Sequence, residues 1–304
     1  MKILHFDLME MQSIYLQGKQ VLDEKGEVLL RGLKLDQLTF ESFTTLFCQH
    51  FFRVTSRENY RQKSGDGFTT IAPPENFTLL GHSEVQYVPC IKTPDTGFFF
   101  CQAAPNVAGG ESFFIDGGAM FQSLPVELQD RLKHQNIIYE FLWEPQRWQA
   151  QYNIKTEEEL HNVLRTIKNI RYTLKEGWLH VFYTASAIAK LKDGSIAFSN
   201  AILPHLPYID HPRYVGKTVY TKGTNQIYWE NGEAFSTETV NQLIDAHDKH
   251  KHCHVWENND LLIFDNFRYL HGREEMVTFS ERTILTRFGY FHLKNNSWEK
   301  QWQM

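Results

Sequence analysis

The sequence predicts an α+β fold that is mainly β, a barrel or sandwich with helices around it. Three observations lead there. Compact apolar runs of strand length, such as Gly97-Phe98-Phe99-Phe100-Cys101-Gln102 and Phe113-Phe114, are bounded by glycine and proline. Phenylalanine makes up 23 of 304 residues, and its clustering in those runs suits buried strands. Helical periodicity is confined to a few segments, three of them opened by serine or threonine.

In order, Glu27-Val28-Leu29-Leu30-Arg31-Gly32-Leu33 reads as a strand closed by Gly32, and Phe40, Phe43, Leu46, Phe47 and Phe51 at helical intervals predict a helix after it. Tyr60 to Gly67 is a polar loop, and Pro73-Pro74 blocks regular structure before the apolar run of Phe77, Leu79 and Leu80. That run passes through Gly81-His82-Ser83-Glu84 into Val85, Gln86 and Tyr87. Pro89 and Pro94 break the chain before the buried strand at Phe98. Gly109-Gly110 then makes a tight turn that delivers Glu111 and Ser112 to the next strand, which Asp116-Gly117-Gly118 ends. Ser123-Leu124-Pro125 opens a helix with Val126, Leu128 and Leu132 facing inward. A capping box, Thr156-Glu157-Glu158-Glu159, starts another through Leu160, Val163, Leu164 and Ile167. Ser236 caps a third through Val240, Leu243 and Ile244, which runs into His247-Asp248-Lys249-His250-Lys251-His252-Cys253-His254. Cationic side chains complement a helix C-terminus, so a solvated helix end accounts for that run without a metal. Leu261 to Phe264 forms a strand that Asp265-Asn266 ends close to His271.

Extended backbone through Gly81 to Glu84 would put His82 and Glu84 on one face, an imidazole and a carboxylate converging on one point. His271 is the candidate third ligand. Two histidines and one carboxylate on one side of an octahedral ion leave open positions, as in non-haem Fe(II) oxygenases. A lone His-x-Glu arises often by chance; here it precedes Gly109-Gly110-Glu111-Ser112, then His271-Gly272-Arg273, then Arg282. In this order and spacing, from about Phe77 to Phe291, the chain resembles the taurine dioxygenase and clavaminate synthase-like family of Fe(II)/2-oxoglutarate-dependent oxygenases. His271 and Arg282 keep that family's interval of eleven residues.

The resemblance implies a double-stranded β-helix, a jelly-roll or cupin-like core with flanking helices. It also implies one domain over 1–304, with a helical insertion or lid at about 140–215 where substrate is chosen. His82, Glu84 and His271 are implied as iron ligands, Ser112 as a hydroxyl donor to 2-oxoglutarate, and Arg282 as the clamp on its far carboxylate. The cofactors implied are Fe(II), 2-oxoglutarate and O2. Glu84 stands where taurine dioxygenase has aspartate, and it points to the branch that acts on amino acids. Taurine dioxygenase has a second arginine four residues beyond its clamp; here that position is Thr286, and the nearest arginine, Arg287, lies on the other face of a regular strand unless a bulge turns it. Arg287 and Thr286 are therefore candidate substrate contacts; Asn200, in a segment that resembles one near the family's pocket, is a candidate to support the site or to touch substrate, and Trp143, Arg147, Trp148 and Tyr152 are candidates in the insertion.

The expected reaction is hydroxylation of an unactivated C–H bond in an amino acid or an amino-acid-derived natural-product intermediate, free or tethered to a carrier protein, with release of succinate and CO2. Desaturation and oxidative decarboxylation begin with the same hydrogen abstraction. A zinc hydrolase or a silent binding module would use the same three ligands differently. The formal net charge of −5, with no basic stretch, argues against nucleic acid. Cys48, Cys90, Cys101 and Cys253 lack disulfide or zinc spacing, which fits a reducing cytoplasm. No apolar run spans a bilayer, and Asp7 and Glu10 do not suit a signal peptide, so no membrane partner is expected.

Overall fold

The computed structural model describes residues 3–5, 11–53, 63–72, 76–89, 92–106, 109–206, 209–220, 226–276 and 282–291. The expected Pro73-Pro74 break, Tyr60 and Cys90 lie outside the described residues. Two sheets form the jelly-roll core. The larger has the order Ile3–His5, Glu27–Arg31, Leu261–Asp265, Thr96–Ala103, Thr283–Gly289, Thr69–Ile71, Lys63–Ser64. In the smaller the order is Lys251–Cys253, Ser112–Asp116, Tyr269–Arg273, Leu79–His82. Neighbours are antiparallel throughout, apart from the parallel pair of Ile3–His5 with Glu27–Arg31.

Successive strands cross from sheet to sheet. Thr96–Ala103 is in the larger and Ser112–Asp116 in the smaller; Leu261–Asp265 is in the larger, Tyr269–Arg273 in the smaller, and Thr283–Gly289 returns to the larger. Between them Phe99, Cys101, Phe114, Leu262, Phe264, Ile284 and Phe288 form one buried cluster. On the outer face of the larger sheet, Phe98, Phe100, Ile263 and Leu285 pack with Ile14, Val21, Phe40 and Phe43 from the helices Met11–Lys25 and Gln37–Thr44. Strand Thr96–Ala103 is thus covered on both faces, which is why its apolar residues run without alternation. Asp36 caps the second helix through the Thr39 N–H.

The insertion expected at about 140–215 holds the helices Pro145–Tyr152 and Glu157–Leu164, but they share the region with strands. Its largest element is a four-stranded antiparallel sheet, Gln226–Trp229, Ile137–Trp143, Trp178–Ala185, Ile170–Lys175. The alternating burial of Ile170–Lys175 is a strand signature that the helical patterning of its neighbours concealed. The expected capping box at Thr156 is present and starts the helix Glu157–Leu164. The helix expected from Ser123 begins at Val126, which is 66% exposed, while Leu128 and Leu132 are buried. Asp116 does more than end a strand: its carboxylate accepts the Gly118 and Ala119 N–H groups and caps the short helix Gly117–Gln122.

Candidate metal centre

Strand Leu79–His82 forms one edge of the smaller sheet and ends at His82. The strand alternation expected to align His82 with Glu84 therefore stops short; Glu84 lies in a turn whose next residue, Val85, has φ +69°. The turn brings the carboxylate back over the sheet. Glu84 Oε2 is 3.7 Å from His82 Nε2 and 3.6 Å from His271 Nε2. His82 and His271 are direct cross-strand partners with ring centroids 4.4 Å apart. One donor atom from each of the three buried residues lies within 4.8 Å of the others, the one such cluster among the described residues.

Hydrogen bonding selects the donor atoms. The Leu80 carbonyl can only accept, so His82 Nδ1, at 3.1 Å, carries the proton and leaves the Nε2 lone pair for an ion. His271 sits among Phe99, Phe264 and Phe288, at centroid distances of 5.1, 5.5 and 5.7 Å. Gly97 makes room for that arrangement, since a Cβ there would fall 2.3 Å from the Phe264 ring. Two imidazoles and a carboxylate in a dry aromatic pocket fit a divalent transition metal, Fe(II) among them.

Asn266 holds the carboxylate's backbone. Its Oδ1 accepts the Glu84 N–H at 2.9 Å, and its Nδ2 donates to the Glu84 and Pro94 carbonyls, each at 2.9 Å. The side-chain amide thus does for an isolated turn what a neighbouring strand would do for a ladder. The sequence marked Asp265-Asn266 as a strand end but did not show that it grips the metal loop.

Ser112 is the cross-strand partner of Arg273, and its Oγ accepts a hydrogen bond from Arg282 Nη2 at 2.9 Å. Arg282 is 5% exposed, and its Nε and Nη1 have no hydrogen-bond partner among the described residues. Burial, and then the charge of Arg273, pull its guanidinium down to about 10, still a cation at neutral pH. A desolvated guanidinium with donors to spare has the chemistry to pair with a carboxylate.

The three candidate substrate contacts are not brought to this cluster by free polar groups. Arg287 lies on the opposite face of strand Thr283–Gly289, where its Nη2 pairs with Asp66 Oδ2 at 2.9 Å and its guanidinium stacks over Phe51 at 4.0 Å. The register shift in this strand falls between Thr283 and Ile284, too early to turn Arg287 inward. Thr286 shares a hydrogen bond with Thr70 Oγ1 at 2.8 Å. The Asn200 amide spans the Ala187 carbonyl and the Ile202 N–H, while its own carbonyl accepts the Ser83 N–H at 2.9 Å. Asn200 therefore braces the metal loop from behind. In the insertion, Trp143 and Trp148 are core residues, and the Tyr152 hydroxyl donates to Pro89.

Histidine 247 departs most from the expected solvated helix end. It is fully buried, and its Nε2 accepts the Gly81 N–H at 3.0 Å. His254 is also buried, 3.2 Å from Asp260. Continuing the Val240, Leu243, Ile244 stripe by one turn reaches position 247, a signal that the run of charges overrode.

Residues 5–288 match the family model for the taurine catabolism dioxygenases TauD and TfdA. The chain belongs to the TauD/TfdA dioxygenase family. Membership makes it a non-haem iron, 2-oxoglutarate-dependent dioxygenase, with Fe(II), 2-oxoglutarate and O2 as its cofactor and co-substrates. Among curated proteins, the dioxygenase is 21% identical to dapdiamide synthesis protein DdaC of Enterobacter agglomerans over 84% of this chain and 80% of that one. Of solved structures, it resembles PvcB of Pseudomonas aeruginosa with TM-score 0.56 and 15% identity, covering 93% of this chain and 80% of that one. A taurine dioxygenase from Burkholderia xenovorans gives 0.55 and 12%, with 94% and 85% covered. At these identities the structural likeness speaks for the fold.

Proposed function

We propose that His82, Glu84 and His271 hold the iron, that Ser112 and Arg282 seat the far carboxylate of 2-oxoglutarate, and that the dioxygenase hydroxylates an unactivated C–H bond of an amino acid or an amino-acid-derived natural-product intermediate. The observation that carries this reading is Arg282: a buried guanidinium with donors to spare, bonded to the hydroxyl of Ser112, whose strand pairs with that of His271 two positions away from it. The planar fork of an arginine suits a carboxylate better than an ammonium does.

Each side chain has a defined task. Arg282 fixes the co-substrate's length and direction, and the Ser112 hydroxyl, already accepting from Arg282, turns its proton toward the same carboxylate. Phe99, Phe264 and Phe288 keep water from the reacting centre. Iron, when bound, couples the oxidative decarboxylation of 2-oxoglutarate to oxidation of the substrate. Glu84 occupies the position that related halogenases leave open for chloride, which favours hydroxylation.

Two similar proteins support the substrate class: one is a dapdiamide synthesis protein, and PvcB is an oxygenase from an isonitrile synthetic pathway. Among the described residues no helix is long and apolar enough to cross a membrane, and Cys48, Cys101 and Cys253 are free thiols, in keeping with a small-molecule substrate met in the cytoplasm.

The test is succinate release with a panel of amino acids under Fe(II), ascorbate and oxygen, comparing the wild type with His82→Ala. Substrate-dependent succinate that disappears in the variant is the expected result. Equal turnover in the variant, or activity restored by Zn(II) and indifferent to 2-oxoglutarate, overturns the reading.

A further inference from the structure

His82 is not held by its own hydrogen bond alone. Its Nδ1 donates to the carbonyl of Leu80, and the N–H of the same peptide unit, on Gly81, donates to His247 Nε2 at 3.0 Å. A backbone N–H can only donate, so His247 carries its proton on Nδ1, which faces Asp248 Oδ1 at 2.8 Å. Asp248 in turn accepts from the Tyr214 hydroxyl at 2.8 Å, with Arg213 at 3.4 Å and Lys251 at 3.8 Å around the same carboxylate. Every bond in the series points the same way, from His82 through one peptide unit and one imidazole to a carboxylate.

The chain is built into the fold. Gly81 lies on the edge strand of the smaller sheet, where its outward N–H would otherwise meet water, and helix Thr237–His250 covers that edge. A Cβ on Gly81 would sit 2.9 Å from Ile115 Cδ1 and 3.1 Å from His247, so the glycine lets the imidazole approach. His247 is fully buried, and burial holds it in the neutral form that this role requires. Burial would raise the Asp248 carboxyl, but hydrogen bonds from His247 and Tyr214 hold it well below the usual range, an anion at neutral pH.

We propose that Tyr214, Asp248 and His247 are positioning residues for the metal ligand His82, acting through the Leu80–Gly81 peptide. This rests on the reading of His82 as an iron ligand. Metal-bound histidines commonly donate directly to a carboxylate, which fixes the ring and makes it a stronger donor. Here the carboxylate stands one imidazole and one peptide further back, and a chain of aligned hydrogen bonds polarises along its length. The arrangement also ties the donor strength of His82 to the loop around Tyr214.

The experiment is an anaerobic titration of the full-length protein with Fe(II) in saturating 2-oxoglutarate, followed by the visible charge-transfer band, with Mn(II) binding as an independent probe. Asp248→Asn, which keeps shape but removes charge, is expected to weaken metal binding roughly tenfold or more and to move the band. Tyr214→Phe should do the same to a smaller extent, and His252→Ala, an exposed change on the same segment, should do neither. An unchanged metal affinity and band in Asp248→Asn, with only a lower melting temperature of the metal-free protein, overturns the proposal. If that variant does not fold, Tyr214→Phe decides by the same two readouts. A wild-type protein with no band would sink the iron reading itself, a result distinct from a wild type and variants that bind alike.

Discussion

Two buried arginines five residues apart on the same stretch of chain, Arg282 and Arg287, lie in contrasting surroundings. Arg287, at 1% exposure, has an aspartate, a threonine hydroxyl and a phenyl ring around it. At 5% exposure, Arg282 has one serine oxygen and the repulsion of Arg273. A buried cation with partners supports the fold; one left short of them costs stability and is a candidate to receive a ligand. The same contrast separates the outer face of the larger sheet from the space between the sheets, and mutation can sharpen it or break it.

The largest effect should come from His271→Ala, which removes a ligand and is expected to abolish succinate formation while the protein still folds, as circular dichroism and turnover assays would show. Arg282→Ala should raise the 2-oxoglutarate requirement by roughly 100-fold or more, the cost of about 3 kcal/mol for losing a charged hydrogen-bonded pair, with little loss of melting temperature. An unchanged requirement would break the comparison. Asn266→Ala leaves both backbone polar groups of Glu84 without their side-chain partner, so it should weaken Fe(II) binding and lower stability by about 2 kcal/mol, read by metal titration and urea unfolding. Arg287→Met should lower stability by about 1–3 kcal/mol, because Asp66 loses its partner, and leave the 2-oxoglutarate requirement at the wild-type value. Smallest is Thr286→Val, about 1 kcal/mol for the bond to Thr70, with turnover retained; a large loss of turnover would return Thr286 to the substrate contacts.

Much of the candidate site was legible because its signals are short in sequence or fixed in spacing. His82-Ser83-Glu84, the Gly109-Gly110 turn before Ser112 and the His271 to Arg282 interval are each local patterns. What stayed hidden shares one cause. His247 looked solvated because lysines interleave with the histidines that follow it, yet helix Thr237–His250 turns that face onto the Leu79–His82 edge. Asn200 and Arg287 carry the right chemistry for substrate, but the Asn200 amide is taken by Ala187 and Ile202, and two of the three Arg287 nitrogens by Asp66 and Thr69. Residue type announces what a side chain can bond, while its partners come from elsewhere in the chain.

By itself the sequence determined the barrel-forming apolar runs and the helix caps at Thr156 and Ser236, and it singled out three candidate donors and a candidate clamp. These depend on backbone periodicity and on chemical valence, which a few adjacent residues carry. Only the tertiary structure decided that a turn rather than a pleat delivers Glu84, that Asn266 and His247 grip the His82 to Glu84 segment, and that Arg287 meets an aspartate while Arg282 meets a serine hydroxyl with two nitrogens left over. Those outcomes depend on which distant groups arrive to satisfy a buried polar atom, and burial sets that demand only once the sheets have closed.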